Sequence, residues 1–319
     1  RGSPLVAGFG EGSAYLGSDA LAIAPLTSRV MFLEEGDVVA LHRDEAAVFD
    51  SAGEPVIRDI VDVALSSDTM EKGSYAHFMI KEIHEQPDVI AKTSALYLDA
   101  LRKRAVLPPG CAVDFAAMRR LHIIGCGTAH YAGRVSKYWF ERVAGLPVEC
   151  DIASEYRYRE PGMEAGDVVL AVSPSGETAD TLAALRLAKA RGLTAIGLLN
   201  VASSTMAREC DVHLQTLAGP EIGVASTKAF TTQLIALTAL ALVAGRERCT
   251  LTKEQEASMV DGLLEVPRLI NEALAHEPVV AGLAREIKDA SSALYLGRDV
   301  FYPLALEGAL KLKETSYIH

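Results

Sequence analysis

The sequence predicts an α/β protein, a parallel sheet with helices on both faces, preceded by a β-rich segment. Three observations predict it. From Leu121 onward, short apolar strands alternate with segments of helical apolar spacing, the β-α-β rhythm of crossover connections. The first sixty residues instead alternate apolar and polar positions between turn signals, as half-buried strands do. With 50 % apolar and 23 % charged residues over 319 positions, the chain can bury the core of two or three domains.

The elements follow in order. "PLVAGFG", "RVMFLEEGDVVALHR" and "AAVFDSAGEPVIRDI" read as short strands, with hairpin signals at Glu35-Gly36-Asp37 and Ser51-Ala52-Gly53. A linker is expected near 59–74, followed by helical spacing without strand signals through "MIKEIHEQPDVIAKTSALYLDALRKR". Strands are expected at 121–125, 147–152, 167–173, 194–200 and 212–216, with helices near 128–144, 177–191, 203–209 and 227–244. A helical stretch at 253–290 comes next. "SALYLGRDVFYPLALEGALKLKETSYIH" then reads as one more strand-loop-helix unit, the opening of a further α/β domain. Because that unit cannot bury a sheet alone, the chain is expected to be part of a longer protein.

Composition excludes several classes. A net charge of -11 argues against nucleic acid, which asks for a basic face. The five cysteines at 111, 126, 150, 210 and 249 form no CxxC pair, which speaks against a disulfide framework or a zinc site and for a reducing cytoplasm. No signal-peptide pattern opens the sequence. The most apolar run, "LIALTALALVAG", is shorter than a membrane span and fits a buried helix.

Three strand-to-helix junctions carry the chemistry. In "VVLAVSPSGETADTLAALRLA", an apolar strand runs through Ser173-Pro174-Ser175-Gly176-Glu177-Thr178 into a helix. A helix start offers unpaired amides and a positive dipole end, and the hydroxyls of Ser173, Ser175 and Thr178 add donors around an anion. No lysine follows as in a P-loop, so a single phosphate ester fits better than a nucleoside triphosphate. The plainer alternative is an N-cap supplied by Ser175 or Thr178. In "LHIIGCGTAHYAG", Gly125 and Gly127 suggest a dinucleotide turn, but the third glycine should stand at 130, which is His130. Thr128 there is a further donor. In "GPEIGVASTKAFTTQL", Ser226 is a natural N-cap, and Lys228 in the first turn is either a surface residue or a partner for an anion.

Together, "CGTAHYAG", "SPSGETADTL", "EIGVASTKAFTTQL" and "YPLALEGALKLKETSYIH" resemble the glutamine–fructose-6-phosphate aminotransferase family. "GSPLVAGFGEGSAYLGSDALA" and "FLEEGDVVAL" resemble the end of that family's glutaminase domain, and "MIKEIHEQP" the segment joining its halves. The resemblance covers essentially the whole chain. It implies a sugar-isomerase (SIS) type doubly wound parallel sheet after a remnant of an N-terminal-nucleophile glutaminase domain. The implied segments are 1–58 for the glutaminase end, 59–110 for the linker and helical segment, 111–250 for the first SIS domain, 251–290 for a helical connector and 291–319 for the start of a second.

It also implies an activity: amination of fructose 6-phosphate at C2 with ammonia from glutamine, and isomerisation to glucosamine 6-phosphate. Ser173, Pro174, Ser175, Gly176 and Thr178 would hold the phosphate with Thr128, while Cys126, Gly127, Val224, Ala225 and Ser226 would line the sugar. Lys311 and Glu314 would act near C1 and C2, Glu314 moving the proton between them. A carboxylate suits that shuttle when burial raises its pKa. The resemblance implies a homodimer and neither cofactor nor metal. Spacing alone puts Glu307, Lys311 and Glu314 on one helical face, where they read equally as a solvated ion-pair stripe.

Departures from the family qualify this. Pro174 stands where glutamine is usual and Ala129 where serine is frequent, which removes an N–H and a hydroxyl near the phosphate. Arg1 opens the chain instead of the family's nucleophilic cysteine, and the ring-opening histidine and C-terminal lysine would fall past His319. The chain alone is therefore expected neither to hydrolyse glutamine nor to complete the isomerisation. Two competing readings are a non-catalytic SIS-domain sugar-phosphate sensor and an NAD-dependent dehydrogenase resting on Gly125 and Gly127.

Overall fold

Alternation with a period of two sorts the apolar residues of each strand onto opposite faces, and this builds the core of the larger unit. The computed structural model describes residues 5–18, 20–43, 45–63 and 71–319. The chain forms two units, Arg1–Glu71 and Lys72–His319. The linker expected at 59–74 includes 64–70, which lie outside the described residues.

In the first unit, strands β1 (Val6–Gly10), β2 (Ser13–Gly17), β3 (Arg29–Phe32) and β7 (Ile60–Asp62) form one antiparallel sheet in the order β2-β1-β3-β7. Strands β4 (Val38–Leu41), β5 (Ala46–Phe49) and β6 (Pro55–Val56) form another, and a short helix α1 spans Ala20–Ile23. The turn at Ser51-Ala52-Gly53 closes a hairpin, as expected, with Asp50 Oδ1 accepting from the amides of Ala52 and Glu54. Glu35-Gly36-Asp37 does not. The strands on either side of it belong to different sheets. Asp37 accepts a two-pronged contact from Arg58 (2.8 and 3.0 Å), which fixes the turn as a passage between sheets.

The second unit begins with helix α2 (Phe78–Tyr97), then a small hairpin of β8 (Leu98–Asp99) and β9 (Arg104–Ala105). The sequence shows no strand signal there, because two residues per strand carry no period. Next come β10 (Arg120–Gly125), α3 (Thr128–Ala144), β11 (Val148–Ile152), α4 (Ala153–Arg159), β12 (Asp167–Ser173), α5 (Ala179–Ala190), β13 (Thr194–Leu199), α6 (Thr205–Glu209), β14 (Val212–Gln215) and α7 (Lys228–Glu247). The five strands pair in parallel in the order β11-β10-β12-β13-β14. Helix α4 went unread in the sequence because it contributes only Ala153 and Tyr156 to the interior.

Leu121, Ile123, Leu170, Val172, Ile196 and Leu198 pack on one face with residues of α3 and α7. Ile124, Val169, Ala171, Ala195 and Leu199 pack on the other with residues of α4, α5 and α6. Helix α7 is long and apolar enough to cross a membrane, but 83 % of its apolar window is buried within this core. A core helix meets the same requirement.

Helices α8 (Lys253–Leu274), α9 (Glu277–Ile287) and α10 (Phe301–Ser316) complete the unit. The strand expected in "SALYLG" is not formed: Leu294 and Leu296 are 92 % and 89 % exposed, and among the described residues no strand pairs with the segment. Apolar alternation yields a strand only where a neighbour supplies the ladder.

At the start of β12 the buried Asp167 is held by the Arg119 guanidinium (2.8 and 2.9 Å), the Glu164 amide (3.1 Å) and His122 Nε2 (3.2 Å). Burial opposes its ionisation, but these contacts outweigh burial and hold the carboxyl below its ordinary value of 3.8. The ionised form therefore stabilises the fold above the ordinary value, and that contribution disappears as pH falls through the lower folded value. Asp167→Asn is expected to cost about 3 kcal/mol at neutral pH. Urea midpoints should show the gap to wild type shrinking as pH falls below the ordinary carboxyl value of 3.8.

Candidate functional site

Strand β10 has β11 on one side and β12 on the other, so the crossover after β10 runs toward one edge of the sheet and the crossover after β12 toward the other. In an open parallel sheet the crevice beyond the carboxyl ends at such a point is where ligands sit. The two junctions bordering it here are Gly125–Thr128 and Ser173–Thr178. The first turn of α5 meets the first junction: Thr181 Oγ1 lies 3.8 Å from Cys126 Sγ.

The Ser-Pro-Ser-Gly-Glu-Thr turn is folded by its own hydroxyls. Ser173 Oγ accepts from the Gly176 amide (3.1 Å) and Ser175 Oγ from the Glu177 amide (3.1 Å). Ser175 thus keeps its proton for another acceptor, while Ser173 and Thr178 share one hydrogen bond between their hydroxyls, which leaves one of those two protons available as well. Thr178 occupies the N-cap of α5 yet forms no side-chain cap, and its hydroxyl lies 3.3 Å from Ser173 Oγ. The simple capping explanation of these hydroxyls does not hold.

Neighbouring loops lock the turn. Pro174 O accepts from the Asn200 amide (3.1 Å), Gly176 O from the Met206 amide (3.1 Å), and Glu177 Oε1 from the Thr205 amide (2.7 Å). Gly176 has φ +65, and a Cβ there would stand 2.1 Å from Ser204 Oγ, the cap of α6.

At the other junction, Gly127 opens α3 and Thr128 is buried at its start. Gly133 lets α3 lie against β10, since a Cβ would come within 2.7 Å of Ile123 Cγ2. Helix packing thus accounts for Gly133. Thr128 Oγ1 donates to Glu307 Oε1 (2.9 Å) and accepts from Lys311 Nζ (2.9 Å), and Lys311 also reaches Glu314 Oε2 at 2.6 Å. Glu307 and Lys311 on this face of α10 therefore meet α3, and only Glu314 stays exposed as a solvated stripe would be.

The burial expected of Glu314 is found one turn-pair earlier. Glu314 keeps 32 % of its side chain exposed, whereas Glu307 is 5 % exposed and its Oε2 is buried without a partner. Burial pushes the Glu307 carboxyl above its ordinary value, against the opposing pull of Lys311 and Thr128.

In the third junction Val224 is exposed, Ala225 buried and Ser226 half-buried. Ser226 does not cap α7; its hydroxyl donates to Glu221 Oε2 (2.7 Å). Glu221 Oε1 takes the amides of Thr227 (2.7 Å) and Ala229 (3.3 Å), so a carboxylate from the preceding loop supplies the cap. Lys228 is not a surface residue, and the anion it meets is a carboxylate of the protein itself. It is 3 % exposed and paired with Glu85 at 2.6 Å. Asn200 Nδ2 donates to Gly219 O (2.8 Å) and Asn200 Oδ1 accepts from the Ala218 amide (2.9 Å), tying this loop to the end of β13. Sequence reasoning missed Asn200, Glu221 and the inward Glu307, whose roles depend on contacts distant along the chain. Only the spacing of Glu307 to Lys311 and Glu314 hinted at a shared face. Among the described residues, no cluster of His, Cys, Asp and Glu could hold a metal.

Comparison with known proteins follows the same lines. Residues 114–243 match the SIS domain family. Glutamine–fructose-6-phosphate aminotransferases [isomerizing] from Bradyrhizobium diazoefficiens and Caulobacter vibrioides are 54 % and 51 % identical over 319 residues. Those alignments take in 100 % of this chain and 52 % of each relative, so the chain spans about half their length. The solved C-terminal domain of glucosamine-fructose-6-phosphate aminotransferase from Francisella tularensis superposes with a TM-score of 0.75 at 39 % identity, over 78 % of this chain and 70 % of that one.

The locked turn predicts a contrast between two glycines. Gly192→Ala, at φ +83 with nothing within 4 Å, is expected to cost about 1–2 kcal/mol. Gly176→Ala adds a collision with Ser204 and is expected to cost about 1–3 kcal/mol more, read from paired thermal unfolding curves.

Proposed function

The chain belongs to the glutamine–fructose-6-phosphate aminotransferase family, and on that premise we propose that it carries the sugar-phosphate-binding isomerase part of such an enzyme. The parent reaction aminates fructose 6-phosphate at C2 with ammonia from glutamine and isomerises the product to glucosamine 6-phosphate. Residues 1–58 are then the end of a glutaminase domain, 59–110 the linker and helical segment, whose first strand β7 still pairs with β3 of the first unit, 111–250 the first SIS domain, 251–290 the connector and 291–319 the start of the second. The enzyme works as a homodimer in a reducing cytoplasm, a setting in keeping with five free cysteines.

The observation that carries this reading is the state of the hydroxyls at the sheet's switch point. Ser173 and Ser175 accept from amides of their own turn, and Thr178 leaves the start of α5 uncapped. Hydroxyl protons and helix amides are thereby left for an anion the size of a phosphate. Pro174 costs the cradle no donor that the fold needs, since its contribution is a carbonyl bonded to Asn200. Thr128 acts differently from a free donor: its proton goes to Glu307, so it aligns Lys311 and Glu307 beside the sugar. Cys126, Gly127, Val224, Ala225 and Ser226 line the sugar. Glu314 takes a proton from C1 and returns it to C2, with the Lys311 ammonium 2.6 Å away fixing its carboxylate.

Calorimetric titration with fructose 6-phosphate, fructose and NAD tests the reading. Only the phosphate ester is expected to bind, and Ser175→Ala/Thr178→Ala is expected to weaken it by about tenfold or more. Binding of NAD, or undiminished affinity in the double variant, would contradict it.

A further inference from the structure

Val224 is 96 % exposed, so nothing packs against it and the backbone alone sets its place. That backbone is held from one direction by α2. Tyr97 donates its hydroxyl to Gln215 O (2.9 Å), Thr93 Oγ1 accepts from the Leu217 amide (3.1 Å), and Glu82 reaches the far end of the loop. Glu82 Oε1 accepts from the amides of Ile222 (2.6 Å) and Gly223 (3.1 Å), and Oε2 lies 3.2 Å from the latter. These groups share one face of α2 and follow the β14–α7 connection step by step, as a splint would.

Glu82 is the unusual member. It is 2 % exposed, and burial raises its pKa against the pull of the two amides. An apolar side chain would fill the position at a lower desolvation cost. The carboxylate adds direction, since two successive amides converge on it. Gly223 is shaped to allow this: a Cβ there would stand 2.6 Å from Glu82 Oε2 and 3.3 Å from Met79 Cα. Beyond Gly223, Glu221 gathers Ser226, Thr227 and Ala229, so Val224 and Ala225 are suspended between two carboxylate anchors.

We propose that Glu82 is a positioning residue for sugar recognition, fixing the loop at Ile222–Gly223 so that Val224, Ala225 and Ser226 select the hexose while the serine-rich turn holds its phosphate. The inference rests on the sugar-phosphate reading above and adds a division of labour to it. The helix that opens the second unit sets the sugar half of the site and leaves the phosphate half alone.

The test titrates wild type, Glu82→Ala, Glu82→Gln and Gly223→Ala with fructose 6-phosphate and with inorganic phosphate, and follows amide exchange by mass spectrometry. Glu82→Ala and Gly223→Ala are expected to weaken fructose 6-phosphate by about tenfold with inorganic phosphate unchanged, and to speed exchange at Ile222 and Gly223. Glu82→Gln, which keeps an acceptor for both amides, is expected to restore most of the affinity. Unchanged fructose 6-phosphate binding in Glu82→Ala, or parallel loss of both ligands, would overturn this inference while leaving the sugar-phosphate reading in place. Wild-type protein that binds neither ligand would overturn both.

Discussion

Parallel pairing of β10 with β11 on one side and β12 on the other is the constraint on which the rest of the second unit depends. Parallel neighbours require helical crossovers, and crossovers that leave in opposite directions open a crevice at the carboxyl ends. The register that joins Ile124 to both Asp151 and Ala171 brings the ends of β10 and β12 level. The β10–α3 turn and the Ser-Pro-Ser-Gly-Glu-Thr turn therefore border one space. The buried faces of the sheet hold this geometry, and the polar groups of the site are added at its rim.

Those polar groups work locally. A chain with a net charge of -11 offers no general attraction to a phosphate ester. In the proposed reading, hydroxyl protons and helix amides would hold the phosphate over a few ångströms, well within the screening length of about 8 Å at physiological salt. The carboxylates nearby mostly serve the scaffold. Glu177 fixes the start of α6, Glu221 the start of α7, and Glu82 the loop before it. Each satisfies amides that would otherwise go unpaired at a helix start or turn.

The sequence made the sheet legible because its strands are buried on both faces and bounded by clear helical spacing. All five strands and four of the helices between and after them fall within a few residues of their expected places. The serine-rich turn and the third junction were legible for the same reason: they sit where strand meets helix. What was hidden depends on partners distant in the chain. Spacing put Glu307 on a face with Lys311 and Glu314 but could not say that α3 covers that face. Ser226 looked like a cap because Glu221, five residues earlier, fits no local capping pattern. Lys228 stayed open between a surface residue and a partner for an anion because Glu85 lies in another helix. The apolar alternation of "SALYLG" suggested a strand, yet a strand also needs a neighbour.

A crystal structure of the chain with fructose 6-phosphate tests the central claim most directly. The account predicts the phosphate within hydrogen-bonding distance of the Ser173, Ser175 and Thr178 hydroxyls, with the sugar extending toward Lys311 and Glu314. A phosphate bound elsewhere, for instance in the cleft beside β11 lined by Arg120, Arg134 and Lys137, would contradict it.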